Sequence, residues 1–261
     1  MRLLIITQND FETIPKNIRI LIENQSIILE DIFIVNSKGS LINKLGLFYC
    51  FGFFQLFKLV IYSLKSLILS YIFILFKKSK SYESFSSLKI RYPNLNIYKT
   101  SNIHSSKNLE LIKSISPDLI VSYSCPVKLH QNLLSIPKLG SINLHCSLLP
   151  QYGGLMPSFW TLFYEETKTG VTVHLLDENI DTGGIINQET VDISPNETIT
   201  SLILKTKKIG GQLMLDTLKQ ISKSKERKIL SNPQDEQKRS YFSWPTPDDI
   251  KLFKQKGKKL I

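Results

Sequence analysis

Asn143 and His145 close the run Gly140-Ser141-Ile142-Asn143-Leu144-His145, and Asp181 stands in a later acidic loop, Leu176-Asp177-Glu178-Asn179-Ile180-Asp181-Thr182-Gly183-Gly184. Residues two apart on a strand point to the same side, so the first two side chains meet at one strand end. An Asn amide can donate a hydrogen bond to an oxygen that becomes negative during acyl transfer. A histidine can accept or relay the proton of an attacking amine. A carboxylate beside it can orient the imidazole and stabilise its charged form. None of the three has to be a covalent nucleophile. An isolated Asn-x-His pair recurs by chance and an Asp-Thr-Gly is usually a turn, but the three in one cleft suit transfer of an acyl group to an amine.

Elements able to position these residues are legible along the chain. Leu3 to Ile6 read as a strand, Pro15 to Glu23 as an amphipathic helix with Ile18, Leu21 and Ile22 at helical spacing, and Asp31 to Val35 as the next strand. This β-α-β opening points to a parallel sheet covered by helices. The rhythm continues through a strand at Asn96 to Tyr98, a helix at Asn108 to Ile115, a strand at Leu119 to Val121, a helix near Val127 to Leu134 and a strand at Ser141 to Asn143. The expected fold class is α/β, a Rossmann-like, mostly parallel sheet flanked by helices. Asn143 and His145 then lie at the C-terminal edge of the sheet, where ligands of such folds bind. The first turn carries no GxGxxG, so nothing supports NAD or FAD.

Leu47 to Phe76 interrupts the rhythm with a very apolar stretch that is long enough to span a membrane. Lys58 and Lys65 fall on one helical face, however, which fits buried or dimer-forming helices with a thin polar stripe. Interfacial membrane contact helped by Lys77, Lys78 and Lys80 is a further reading. The expected organisation is a catalytic domain over 1–221 with a helical insertion at about 42–86, then a linker and extension over 222–261. Asn196 is a candidate cap for a helix from about Thr198 to Ile221, interrupted at Gly210-Gly211. Tyr241, Phe242 and Trp244 can stack on a nucleotide base, although an aromatic-proline tail more often docks on a core.

Composition sets the outer bounds. A chain of 261 residues with 42% hydrophobic and 21% charged residues is ordinary for a globular protein. Its net charge of +11 suits phosphorylated small molecules, nucleic acid or anionic lipid. Cys50, Cys125 and Cys146 form neither a CxxC pair nor a Cys/His cluster spaced for zinc, so neither a disulfide framework nor a metal is expected. The N-terminal apolar run is too short for a signal peptide, and the expected location is the cytoplasm, with membrane association left open. His174 reads as structural, and His104 and His130 have no partner suggested by spacing. Cys146 reads as a small buried hydrophobe rather than a reactive thiol.

The run Asn143-Leu144-His145-Cys146-Ser147-Leu148-Leu149-Pro150-Gln151-Tyr152-Gly153-Gly154, followed by Leu176-Asp177 and Asp181-Thr182-Gly183, resembles the signature of the N10-formyltetrahydrofolate-dependent formyltransferases. That family includes methionyl-tRNA, glycinamide ribonucleotide and nucleotide-sugar formyltransferases. The resemblance covers Leu119 to Ile186 well. It implies Asn143, His145 and Asp181 as the catalytic residues and N10-formyltetrahydrofolate as co-substrate. It also implies a pterin pocket formed by Ser124, Cys125, Pro126 and Val127 with the loop from Asp177 to Ile180. Cys146 departs from the family, many members of which carry proline there.

The resemblance leaves the amine open. About forty residues, linker included, follow the expected catalytic domain, too few for the C-terminal barrel of methionyl-tRNA formyltransferases, so a small phosphorylated acceptor is expected. A nucleotide-linked amino-deoxysugar destined for a surface glycan fits best, and nucleic acid is not the expected partner. Methionyl-tRNA as acceptor, hydrolysis of the formyl-folate, and a non-catalytic binding module are the alternatives.

Overall fold

The computed structural model describes residues 1–10, 13–37, 46, 51–52, 57, 60–61, 64, 68, 83–224 and 229–261. Most of the expected insertion, with Lys58, Lys65, Lys77, Lys78 and Lys80, lies outside the described residues. So does the part of the linker from Lys225 to Lys228. Strands β1 (Arg2–Thr7), β2 (Ile28–Val35), β3 (Asn96–Thr100), β4 (Leu119–Tyr123), β5 (Ser141–His145), β7 (Lys168–Leu175) and β8 (Ile185–Asp192) form one sheet in the order β3-β2-β1-β4-β5-β7-β8. The first five run parallel, and β7 and β8 are antiparallel to their neighbours. The expected α/β class with a mostly parallel sheet is therefore what the chain adopts.

The central strands are apolar on both sides because both faces are covered. Leu3 and Ile5 of β1 enter one core with Leu119 and Val121 of β4, while Leu4 and Ile6 enter the opposite core with Ile120. Helices α1 (Thr13–Ile22), α3 (Ser106–Ile115) and α4 (Gln131–Leu134) follow strands in the expected rhythm, whereas α2 (Phe85–Arg91), with Phe85 and Leu88 buried, stands ahead of β3 where no helix was expected. The helix expected near Val127 to Leu134 is shorter than its pattern, because Val127 and Leu129 pack beneath the cleft ahead of α4.

Helix α5 (Pro157–Phe163) supplies Phe159, Trp160 and Phe163 to a third core. Helix α6 (Ile199–Lys223) is capped by Thr198, not Asn196, in a reciprocal pair with Ser201. It runs unbroken through Gly210 and Gly211. There the missing side chains admit neighbours: a Cβ on Gly210 would lie 2.7 Å from Leu144 Cδ2, and one on Gly211 2.2 Å from Asn17 Oδ1. Among the described residues no helix is long and apolar enough to cross a membrane.

The C-terminal segment is built onto the loops at the sheet edge. Strand β9 (Tyr241–Phe242) pairs with β6 (Gly153–Gly154), and α7 (Pro247–Gln255) follows. Gln234 Nε2 donates to Asp181 O and Gly183 O at 2.9 and 2.8 Å, and Ser240 Oγ accepts from Tyr152 N at 2.8 Å. Phe253 of α7 lies in the third core against Phe159, and Phe51 packs edge-on against it at 5.9 Å.

Candidate active site

β1 and β4 are adjacent, and the chain spreads from them toward opposite edges of the sheet. This is a topological switch point, with its crevice at the carboxyl ends of the strands. The crevice is a cleft of about 820 Å³. Asn143, His145 and Asp181 all line it, as do Ser124, Cys125, Pro126, Val127, Asp177 and Ile180.

Strand β5 carries Asn143 and the buried His145 on one side, as parity requires. Asp181 is brought in from the loop after β7 in the left-handed region, φ 56°, and is 9% exposed. An Asp tolerates that conformation better than most residues. One Asp181 oxygen lies 3.4 Å from His145 Nδ1 and accepts the Gly154 N–H at 2.8 Å. The other lies 3.4 Å from His174 Nε2. Burial alone would raise the Asp181 carboxyl. It is outweighed by the charge of His145, then by His174 and the Gly154 N–H, so the group is held well below the usual carboxylate range.

The two imidazoles are assigned by their carbonyl partners. His145 Nε2 faces Tyr152 O at 2.8 Å and must donate to it, which leaves Nδ1 as the basic nitrogen beside Asp181. His174 Nδ1 donates to Leu175 O at 2.8 Å, and its Nε2 stands 3.2 Å from the Asn143 amide and 3.4 Å from Asp181, accepting from the amide in the neutral ring and donating to the carboxylate when protonated. His174, expected to be structural, thus touches two site residues. It sits directly opposite Asn143 in the β5–β7 register, a pairing that no local pattern shows.

The two ends of the cleft differ. Cys125, Val127 and Leu176 rest on the core that holds Leu4 and Ile6. Asp177 is taken up within its own loop, accepting from Thr182 Oγ1 and Asn179 N. At the other end Met156, Ile203 and Trp244 rest on the third core. That wall also holds a charge pair: Lys207 Nζ lies 2.7 Å from Asp10 Oδ2, while Asp10 Oδ1 caps α1 through the N–H groups of Thr13 and Ile14. Sequence reasoning missed both residues, although Thr200, Ile203, Leu204 and Lys207 share helical spacing.

Desolvation raises the thiols of both cleft cysteines, Cys125 to about 11, which keeps them protonated and poorly nucleophilic. His104 and His130 pack edge-on with centroids 4.3 Å apart and do not line this cleft.

A doubly covered, mostly parallel sheet whose cleft brings Asn143, His145 and the buried Asp181 together has the groups that acyl transfer to an amine would need. Residues 73–218 match the formyl transferase family, and the chain belongs to that family. It is 34% identical over 157 residues to the methionyl-tRNA formyltransferase of Caldicellulosiruptor saccharolyticus, a match covering 58% of this chain and 50% of that protein. The chain thus spans about half the length of such relatives. A sugar N-formyltransferase from Shewanella sp. superposes with a TM-score of 0.61 at 18% identity, covering 97% of this chain and 86% of the other. An N-formyltransferase from Helicobacter canadensis, solved with folinic acid and dTDP-3-aminofucose, gives 0.57 at 18% identity, covering 92% and 70%. At these identities the likeness to the two structures speaks to the fold.

Proposed function

We propose that the chain transfers a formyl group from N10-formyltetrahydrofolate to an amine, that of a nucleotide-linked amino-deoxysugar, in the cytoplasm. The observation that carries the reading is the Asp181 carboxylate, buried between His145 and His174, with Asn143 held beside it in one cleft. The apolar end lined by Cys125, Val127, Leu129, Leu176 and Ile180 suits a flat donor ring with few polar anchors, and Ser124, Pro126 and Asp177 complete that wall. Bound there, N10-formyltetrahydrofolate would supply the formyl carbon.

The chain's own residues do the rest. Asn143 spends one amide N–H on His174 and has the second for the oxygen on which negative charge develops. His145 takes the amine's proton at Nδ1, Asp181 stabilises the charge the ring acquires, and His145 then returns that proton to the nitrogen that leaves as the donor's formyl C–N bond breaks. Lys207 offers a cation to a phosphorylated acceptor at the opposite end of the cleft.

Incubation with N10-formyltetrahydrofolate and a panel of nucleotide-linked amino sugars, read by mass, tests the proposal. Tetrahydrofolate release only when an amino sugar is added supports it. Release without an amine would make the chain a hydrolase, and binding without turnover a binding module. The curated relative named above favours methionyl-tRNA as the second acceptor to try, and formylation of that tRNA with all sugars untouched would transfer the assignment to it.

A further inference from the structure

We propose that Tyr241 and Trp244 form an aromatic platform on which the acceptor's nucleobase stacks. The inference rests on the nucleotide-sugar reading above. Strand β9 alternates. Phe242 turns inward, stacked on Trp160 at 4.9 Å and 24° and on Tyr152 at 5.5 Å and 15°. Its neighbour Tyr241 must therefore point the other way, and it is 50% exposed on the wall of the cleft.

The position is held tightly. A Cβ on Gly154, at φ +91°, would come 2.8 Å from Tyr241 Cε2 and 2.2 Å from Phe242 O, so only glycine lets the aromatic strand lie this close. The N–H of the same Gly154 is donated to Asp181, which places Tyr241 one paired residue away from the buried carboxylate. Trp160 Nε1 donates to Ser243 O at 3.0 Å and fixes the turn that carries Trp244. Trp244 packs partly on the third core and also lines the cleft.

Parity alone would turn Tyr241 outward in a tail that served packing, so what bears on a ligand is where the outward rings stand. Tyr241 and Trp244 both line the cleft, and Trp244 rests on the third core, not on the one beneath Cys125, Val127 and Leu176. Their chemistry selects a neutral planar ring: stacking on a π-face is strong and tolerant of base identity. The same wall continues along α6 through Thr200, Ile203 and Leu204 to Lys207, a rise of about 10 Å at 1.5 Å per residue. A base at the aromatic end thus leaves the diphosphate toward the ammonium and the amino sugar toward His145.

The test is equilibrium binding of uridine or thymidine diphosphate to the full chain. It is followed by quenching of fluorescence from the chain's two tryptophans and, in parallel, by calorimetry. Saturable quenching is expected. Tyr241→Ala should weaken the nucleoside diphosphate about 5- to 100-fold, the range for losing one stacked base, while Tyr241→Phe binds within about twofold of wild type because the π-face remains. Tetrahydrofolate, bound at the other end, should bind Tyr241→Ala within about twofold of wild type if the stacking is confined to the acceptor base. Equal weakening of both ligands would mark general damage and overturn the platform, and so would unchanged nucleotide affinity in Tyr241→Ala. If nucleotide sugars are formylated while the variant binds them as wild type does, the platform fails and the functional proposal stands. If no nucleotide binds and no nucleotide sugar is formylated, both fail.

Discussion

The Asn143 amide nitrogen lies 3.2 Å from Nε2 of His174, a ring with 0% exposure whose other nitrogen is fixed on Leu175 O. That contact sets which way the amide faces, so in the proposed chemistry the hydrogen bond offered to the reacting oxygen depends on a residue that never reaches the cleft. His174→Ala should lower kcat about 10- to 100-fold, less than loss of the donor itself, with KM for the acceptor changing less. A KM effect larger than the kcat effect would assign His174 to the architecture of the wall instead.

Asn143→Ala and His145→Ala should each lower turnover by about two to four orders of magnitude, the usual consequence of losing an oxyanion donor or a general base. Thermal melting of both variants should stay close to wild type for Asn143→Ala, whose site is half-buried, and fall modestly for the buried His145. Near-normal single-turnover rates in both variants would remove the proposed chemistry.

Much of this site was legible in strand parity. Asn143 and His145 had to share a side once β5 was read as a strand, and Asp181 stood out in the acidic loop downstream. What stayed hidden depends on contacts between distant segments. Gly210 and Gly211 read as a break because sequence does not show Leu144 and Asn17 pressed against α6. Strand β8 was missed because Gln188, Glu189 and Thr190 leave its outer edge polar, as suits the last strand of an open sheet. The aromatic tail was read as either stacking on a base or docking on a core, with docking favoured; Phe242 docks, while Tyr241 lies on the cleft.

Those hidden contacts carry their own test. Gly211→Ala would gain roughly 1 kcal/mol of helix propensity on an exposed helix. Here the added Cβ meets the Asn17 side chain, whose Nδ2 donates to Lys207 O at 2.9 Å, so either that hydrogen bond is lost or α6 shifts from α1. Net destabilisation of about 1–3 kcal/mol is expected from overpacking, measured by urea unfolding. A stabilised variant would show that the two helices are not in the close contact described.

Asp181 also links stability to pH. Its carboxyl is held below the usual range although burial opposes this, with His145 the foremost cause. A group whose folded pKa is depressed adds stability above its unfolded value, roughly 3.9 for an aspartate, and that stability fades as the pH drops below it. The difference in urea midpoint between wild type and Asp181→Asn should therefore be full near neutrality and shrink below about pH 4. A difference that persists undiminished at about pH 3 would mean that the carboxylate's charge is not what the two imidazoles hold.

Lys207 and Asp10 provide the last prediction. Their 2.7 Å pair bridges α6 and the loop after β1 on the acceptor side, with the lysine side chain 15% exposed. An anionic acceptor that shares this ammonium gains a charge-assisted hydrogen bond in a partly desolvated place, where such bonds are stronger than neutral ones. Removing the cation has a second effect: it leaves the Asp10 carboxylate to repel the incoming phosphate. Lys207→Met should consequently raise KM for a phosphorylated acceptor about 10- to 100-fold, from one charged hydrogen bond of roughly 1.5–3 kcal/mol, with a smaller change in kcat. Asp10→Asn keeps an oxygen for the N–H groups of Thr13 and Ile14 while lifting the competing charge from Lys207, so KM in that variant should hold or fall. The pair is separated from a purely structural clamp by the salt response, since added salt should raise KM in wild type and have little effect in Lys207→Met. Identical salt dependence in both proteins would place the phosphate elsewhere in the cleft.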